Sequence, residues 1–272
     1  LLLSFQLIYE AYKGGAKSIG YVTPYRAQAL LMESLLEGSL KDEKEQANIS
    51  AATVHRFQGS EKDVIIYDSV DSFPFERPGM LLTGKNNDRL INVAVTRSKG
   101  KFIHVCDRSF ITKTTSHNKT IRQLVKHQTE QNTVITSEHI GKWIKNQHPN
   151  VKWIHARKTE EIFLDIKQAK TSIVFSIPNG VILPKEWIDQ LNSLNNNVKV
   201  TLMSSTTTEP IKKHKQLETD IPFPFLIIDE TILWLGAPVE CIQNTRPPYV
   251  AVRVLSKEFT EQFISQVIIQ HS

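Results

Sequence analysis

The sequence predicts an α/β chain of two domains, the first built on a parallel sheet. Three observations carry this reading. At 272 residues the chain is longer than one ordinary domain of roughly 150. Its first hundred residues alternate between helical and strand periodicities, the pattern of strands joined by helical crossovers. Past a basic middle stretch the alternation begins again.

In order, residues 3–13 read as a helix ending at Gly14-Gly15, and KSIGYVT as a buried strand. Thr23 is placed to cap the next helix with Pro24 at its first position; Ala27, Leu30, Leu31 and Leu35 recur at helical spacing until Gly38. The exposed KDEKEQAN follows, then the β-rich runs ISAATV and DVIIYDSV around the polar loop HRFQGSEK. A helix holding Asn92 and Arg97, a turn at Lys99-Gly100-Lys101 and a strand to Cys106 close the first domain. Helices are predicted over 120–128, 137–146 and 159–169, strands at SIVFSI, VKVTLM, FPFLIID, ILWLG and YVAVRVL, and a last helix from Lys257 to about Ile269. The boundaries that follow are 1–112, a basic linker or helix over 113–130, and 131–272.

A composition of 40% hydrophobic and 22% charged residues supplies packed cores and argues against disorder. No apolar run approaches the roughly 18 to 20 residues that span a bilayer, so no membrane partner is expected. Two cysteines, Cys106 and Cys241, make neither a disulfide scaffold nor a zinc site, and point to the reducing cytoplasm with no bound metal. The net charge of +5 is concentrated: residues 111–160 carry 9 Lys and Arg against 3 acids, and five of the nine histidines. Such a segment suits a nucleic-acid backbone, or a solvated face. The chain opens on Leu1, and reads as a piece of something longer.

The most informative stretch is TVHRFQGSEKDVII. Gly59 lets backbone approach a ligand closely, while Gln58 and Glu61 place an amide and a carboxylate on one loop. It stands in fixed order between IGYVTPYRAQ and DRLINVAVTRSKGKFIHVCD. That trio resembles the second RecA-like domain of superfamily 1 helicases of the Upf-like and Dna-two-like branch, over residues 1–112. The resemblance implies an arginine finger at Arg97 for the γ-phosphate, Gly59 and Glu61 beside the phosphates and ribose of ATP, and Thr53 and Gln58 toward nucleic acid or the motor's coupling network. It also implies a phosphate contact from Thr23 and the helix after it. A planar, permanently charged guanidinium suits that finger, because phosphoryl transfer is catalysed mainly by electrostatics. Without the trio, Arg97 reads as a surface partner of Asp88 or Asp107. His55 departs from the family, which has an acid there.

The sequence contains no G-x-x-x-x-G-K-[ST] phosphate loop. FLIIDE follows the trio instead of preceding it, and so does not match the family's magnesium-holding strand. ATP with magnesium is therefore expected mainly on a first RecA-like domain in cis, with single-stranded DNA or RNA as the partner.

The second half, through AKTSIVFSIPNGVI, LNSLNNNVKVTLMSS and FPFLIIDETILWLGAP, resembles a phospholipase D-like domain. Counting back from Asp229, the family's catalytic histidine and lysine fall on Pro222 and Pro224, which can neither attack nor carry charge. His214 offers no substitute, since Gln216 stands where lysine is needed and Asp220 is out of register. Asp229 then reads as a turn cap, and Trp143, Trp153, Trp187 and Trp234 as packing. The domain could also pack against another copy of itself. Two further readings remain: a non-enzymatic nucleic-acid-binding module, or a phosphodiesterase.

Overall fold

The computed structural model describes residues 1–57, 61–84, 87–131, 133–136, 139, 144–155, 158, 160–178, 183–204, 211, 214–219, 221, 223–236 and 249–269. Gln58, Gly59, Asp220, Pro222, Trp143 and Cys241 lie outside them. The chain divides into two compact units, Leu1–Asn146 and Gln147–Ser272. Among the described residues no helix is long and apolar enough to cross a membrane.

The first unit is α/β, with four strands in the order β2-β1-β3-β4. These are β1 (Ile19–Thr23), β2 (Ile49–Thr53), β3 (Lys62–Asp68) and β4 (Ser98–Val105), all parallel, as in a RecA-like domain. Period-two alternation gives each face its own apolar set. On one face Tyr21 and Asp68 meet α1 (Leu2–Lys13): the Asp68 carboxylate accepts from Ser4 Oγ (2.8 Å) and from the Tyr21 hydroxyl (3.1 Å). On the other, Val22, Ile65 and Tyr67 join one core with Leu90, Ile91 and Ala94 of a helix over Asn87–Thr96. Among the described residues the helices up to Thr114 are α1, α2 (Arg26–Ser39), α3 (Lys41–Gln46), α4 (Met80–Thr83), α5 (Asn87–Thr96) and α6 (Arg108–Thr114).

The segment expected as a basic linker or helix over 113–130 lies within this unit. It ends α6 and forms α7 (Thr120–Glu130), whose Ile121 and Val125 are buried in the same core as Phe110 and Ile111. Lys126 and His127 are exposed on the outer face of this amphipathic helix, which matches the helix expected over 120–128. The expected helix over 137–146 falls largely outside the described residues.

KDEKEQ, read as an exposed stretch, is a short helix after α2 with no buried residue. Two local expectations are corrected. Thr23 does not cap α2; the helix starts at Arg26 with Tyr25 in the cap position, and Thr23 Oγ1 accepts from Tyr25 N at 3.4 Å in a turn. Lys99-Gly100-Lys101 is no turn: Lys62 pairs with Ser98 but Val64 with Lys101, so β4 carries one extra residue as a bulge.

The second unit is a mixed seven-stranded sheet, β5-β11-β10-β9-β6-β7-β8. The strands are β5 (Val151–His155), β6 (Ser172–Ser176), β7 (Lys199–Met203), β8 (Lys215–Leu217), β9 (Phe225–Ile228), β10 (Ile232–Leu235) and β11 (Tyr249–Leu255). β6, β7 and β8 are parallel and the other pairs antiparallel. One face is covered by α8 (Glu161–Lys167) and α9 (Lys185–Asn192), with Trp187 and Trp234 fully buried, as packing tryptophans should be. On the other, Phe263 of α10 (Lys257–Phe263) meets the Phe225 ring edge-on at 5.2 Å, and a π-helical turn, Ile264–Ile268, follows.

Candidate functional site

The residues singled out by sequence fall at two opposite edges of the first sheet. Thr23 and Thr53 end β1 and β2 in register, at the carboxyl edge where α/β sheets place their ligands. Glu61 and Arg97 stand at the amino edge, flanking the starts of β3 and β4. In a parallel sheet the chain must cross the sheet's full height between one strand's end and the next strand's start. The eight residues between Thr53 and Lys62 make that crossing.

The crossing is anchored in the middle. Thr53 carbonyl accepts from Arg56 N (3.0 Å) and Phe57 N (3.1 Å), winding one turn that buries Val54 and Phe57 and leaves His55 and Arg56 exposed. Phe57 fits because position 20 is glycine: a Cβ there would overlap the ring's Cζ and come 3.0 Å from Cε2. Lys62 fixes the far end. Its backbone N donates to the Arg97 carbonyl at 3.0 Å, and its buried amine donates to Asn48 O (2.7 Å) and Oδ1 (2.8 Å). Burial pulls the Lys62 amine below the usual lysine value. Asn48 adopts a positive φ of 41°, a conformation asparagine tolerates.

Arg97 directly follows α5. Neither sequence-suggested partner engages it: Asp88 accepts from Thr120 Oγ1, and Asp107 caps α6 by accepting from Phe110 N at 2.9 Å. Among the described residues Arg97 forms no ion pair, and its Nε is buried with no hydrogen-bond partner. Such an orphaned donor on a charged group is costly unless something else completes it. Glu61 is exposed and meets Lys99 Nζ at 3.6 Å, a surface pair beside the β4 bulge.

At the carboxyl edge one expectation is corrected. Thr23 is fully buried, its hydroxyl turned inward, so it offers no surface contact. Thr53 is half-buried; the exposed groups beside the pair are Arg26, His55 and Arg56. Sequence reasoning missed the two arginines and Lys62, although Arg26 and Arg56 stand inside the quoted motifs.

In the second unit Asp229 is fully committed to backbone. It sits at φ 51° in the β9–β10 turn and accepts from Lys170 N (2.9 Å), Thr171 N (2.8 Å), Thr171 Oγ1 (2.8 Å) and Ser172 N (3.0 Å). Despite some burial, these donors hold its carboxyl down at about 2. Pro224 is buried beside β9. Among the described residues no group of three His, Cys, Asp or Glu could hold a metal.

Residues 3–109 match the family described as an AAA domain. A probable helicase of Dictyostelium discoideum is 28% identical over 176 residues, covering 64% of this chain and 16% of that protein. The DNA polymerase alpha-associated DNA helicase A of Saccharomyces cerevisiae is 38% identical over 88 residues, 32% of this chain and 12% of the relative. The regulator of nonsense transcripts 1 homolog of Drosophila melanogaster is 40% identical over 91 residues, 32% of this chain and 7% of the relative. Among solved structures, NucT from Helicobacter pylori overlaps 44% of this chain and 92% of its own at 14% identity and a TM-score of 0.32, which establishes no common fold. The chain thus spans a sixth or less of the curated relatives it matches, and its first unit is an α/β domain similar to parts of proteins named helicases.

Proposed function

We propose that this chain is the C-terminal portion of an ATP-dependent helicase of superfamily 1, its first unit serving as the second RecA-like motor domain. The observation that carries the reading is Arg97: a guanidinium at the amino edge with a buried, partnerless Nε and no ion pair among the described residues. It fits a phosphate brought to it by another domain. ATP with magnesium would rest mainly on a first RecA-like domain in cis, since the sequence has no phosphate loop. When bound, ATP supplies the free energy of phosphoryl transfer; Arg97 stabilises charge on the transferred group, and Gly59 and Glu61 face the nucleotide.

Single-stranded DNA or RNA would lie along the carboxyl edge, touched by Thr53, Gln58, Arg26 and Arg56, with Thr23 positioning the turn that presents Arg26. The 54–61 crossing then links the two edges: Arg56 and Thr53 at one end, Glu61 and the Lys62–Arg97 backbone bond at the other. For the second unit we infer an inactive phospholipase D-like accessory domain, a site for docking or self-association. The seven-stranded mixed sheet and the engaged Asp229 carboxylate support this reading.

The test is Arg97→Ala in the full-length protein. Strand binding should persist while ATP turnover falls about a thousandfold or more, and Arg97→Lys should rescue little of it. Near-wild-type ATPase in Arg97→Ala overturns the assignment.

A further inference from the structure

Two phenylalanines stand in water on a loop that is otherwise tightly built. Phe73 is 49% exposed and Phe75 65%, and Met80 and Leu81 lie out beside them at 85% and 40%. They belong to residues 69–81, leaving β3 at the carboxyl edge. The loop's root is fixed at several points. Asp71 accepts from Gly79 N at 2.6 Å and from the Tyr25 hydroxyl, and a Cβ on Gly79 would overlap that hydroxyl. Phe75 N donates to Ser72 O at 3.1 Å, and Phe73 N reaches Asp107 Oδ2 at 3.4 Å. The Phe73 ring stands edge-on against buried Phe110 at 5.4 Å, while Lys113 Nζ lies 5.5 Å from the Phe73 ring centre.

Exposed aromatic area held by this many polar contacts is presented, not left over. The neighbourhood identifies what it meets. Lys113 lies over the Phe73 ring, Arg77 is exposed on the same loop and Arg108 beside Asp107, which holds Phe73 N; Glu76 is the one exposed acid in the 69–81 loop. Tyr25 ties the loop to the turn that carries Arg26, so the rings continue the edge that holds Thr53 and Arg56. Aromatic faces interleaved with cations along one edge match the chemistry of a flexible polyanion with flat bases; an apolar protein partner would not need the cations.

We propose that Phe73 and Phe75 form a base-stacking platform for single-stranded nucleic acid, with Lys113 and Arg77 alongside for its backbone. This rests on the strand reading of the carboxyl edge given above. The experiment places 4-fluorophenylalanine at position 75, and separately at 73, in the 272-residue chain, and titrates it with 12-nucleotide oligothymidylate and oligouridylate. Fluorine resonances are followed alongside fluorescence anisotropy of the labelled strand. The expected result is a saturable shift of both resonances with either strand, a five- to hundredfold loss of affinity in Phe75→Ala, and near-normal affinity in Phe75→Trp. Because Phe75 is exposed, its removal leaves the fold intact, as an unchanged melting curve would show. Strand binding with silent fluorines and a Phe75→Ala affinity within twofold of the parent overturns the platform, leaves the strand reading standing, and gives the rings to a protein contact. A blunt duplex that shifts the resonances equally also overturns stacking. Failure of either strand to bind overturns the strand reading together with the platform.

Discussion

The ring of Phe57 rests on the bare Cα of Gly20, and this contact seats the chain that crosses the first sheet. Gly20→Ala should therefore cost about 1 to 3 kcal/mol through overpacking, although alanine suits a strand better than glycine does. Pairing it with Phe57→Leu should recover part of the loss, a coupling absent when Gly20→Ala is combined with a change in the second unit. Urea unfolding of the four proteins in the cycle measures it.

In the second unit Arg253 reaches Asp165 through two nitrogens, Nε at 2.6 Å and Nη2 at 3.1 Å, and Trp234 Nε1 donates to the same carboxylate at 2.8 Å. Asp165→Ala strands a largely buried guanidinium and an indole N–H together, so a loss of about 3 kcal/mol or more is expected. Replacing Asp165 and Arg253 together by apolar residues should cost less than Asp165→Ala alone. Denaturant midpoints compared across the set decide between those outcomes.

Asp229 gives the second unit an acid limit. Its carboxyl titrates near 3.8 unfolded and about 2 folded, so the unfolded chain binds the proton more readily. The stabilisation is complete above about pH 4 and is lost as pH falls from there through 2. Asp229→Asn keeps a residue that accepts positive φ, removes the charge and turns one of the two accepting oxygens into a donor. Its melting temperature should sit below the parent's at pH 6, and the gap should close toward pH 2.

His104 behaves in the first unit as a neutral group. Its Nδ1 lies 3.3 Å from Gln128 Oε1 and its Nε2 3.3 Å from Ser69 Oγ, joining β4 to α7, and desolvation pushes it down to about 4. The unfolded chain takes up this proton near 6.5, so the first unit loses stability as pH drops from about 6.5 toward 4. NMR titration should show the His104 ring still unprotonated at pH 5.5.

Much of the first unit was readable because parallel strands and crossover helices impose two different periods on neighbouring segments. β1, β3, α5 and the ordered motifs stand where those periods put them. What escaped did so for physical reasons. Thr23 has the residue type of a cap, but it ends β1 two residues before the cap position, and its hydroxyl closes a local turn. α7 stands where the helix expected over 120–128 put it, but its place in the first core was not read, since net charge does not report which face is apolar. β5 was unread because VKWIH is short and is recognisable only against β11, nearly a hundred residues later. Phe73 and Phe75 escaped because sequence patterning assigns large aromatics to the interior.

The β4 bulge also decides how this sheet ends. β4 is an outer strand, and an outer strand with free N–H and C=O groups invites a neighbour chain to add itself. Here the extra residue breaks the regular spacing such a neighbour would need, and exposed Lys99 and Lys101 flank it. Gly100 lets the bulge lie close to β3, where a Cβ would come 3.0 Å from the Asp63 carbonyl. The sheet is therefore closed to growth on that side, and aggregation through β4 is resisted by shape and charge together.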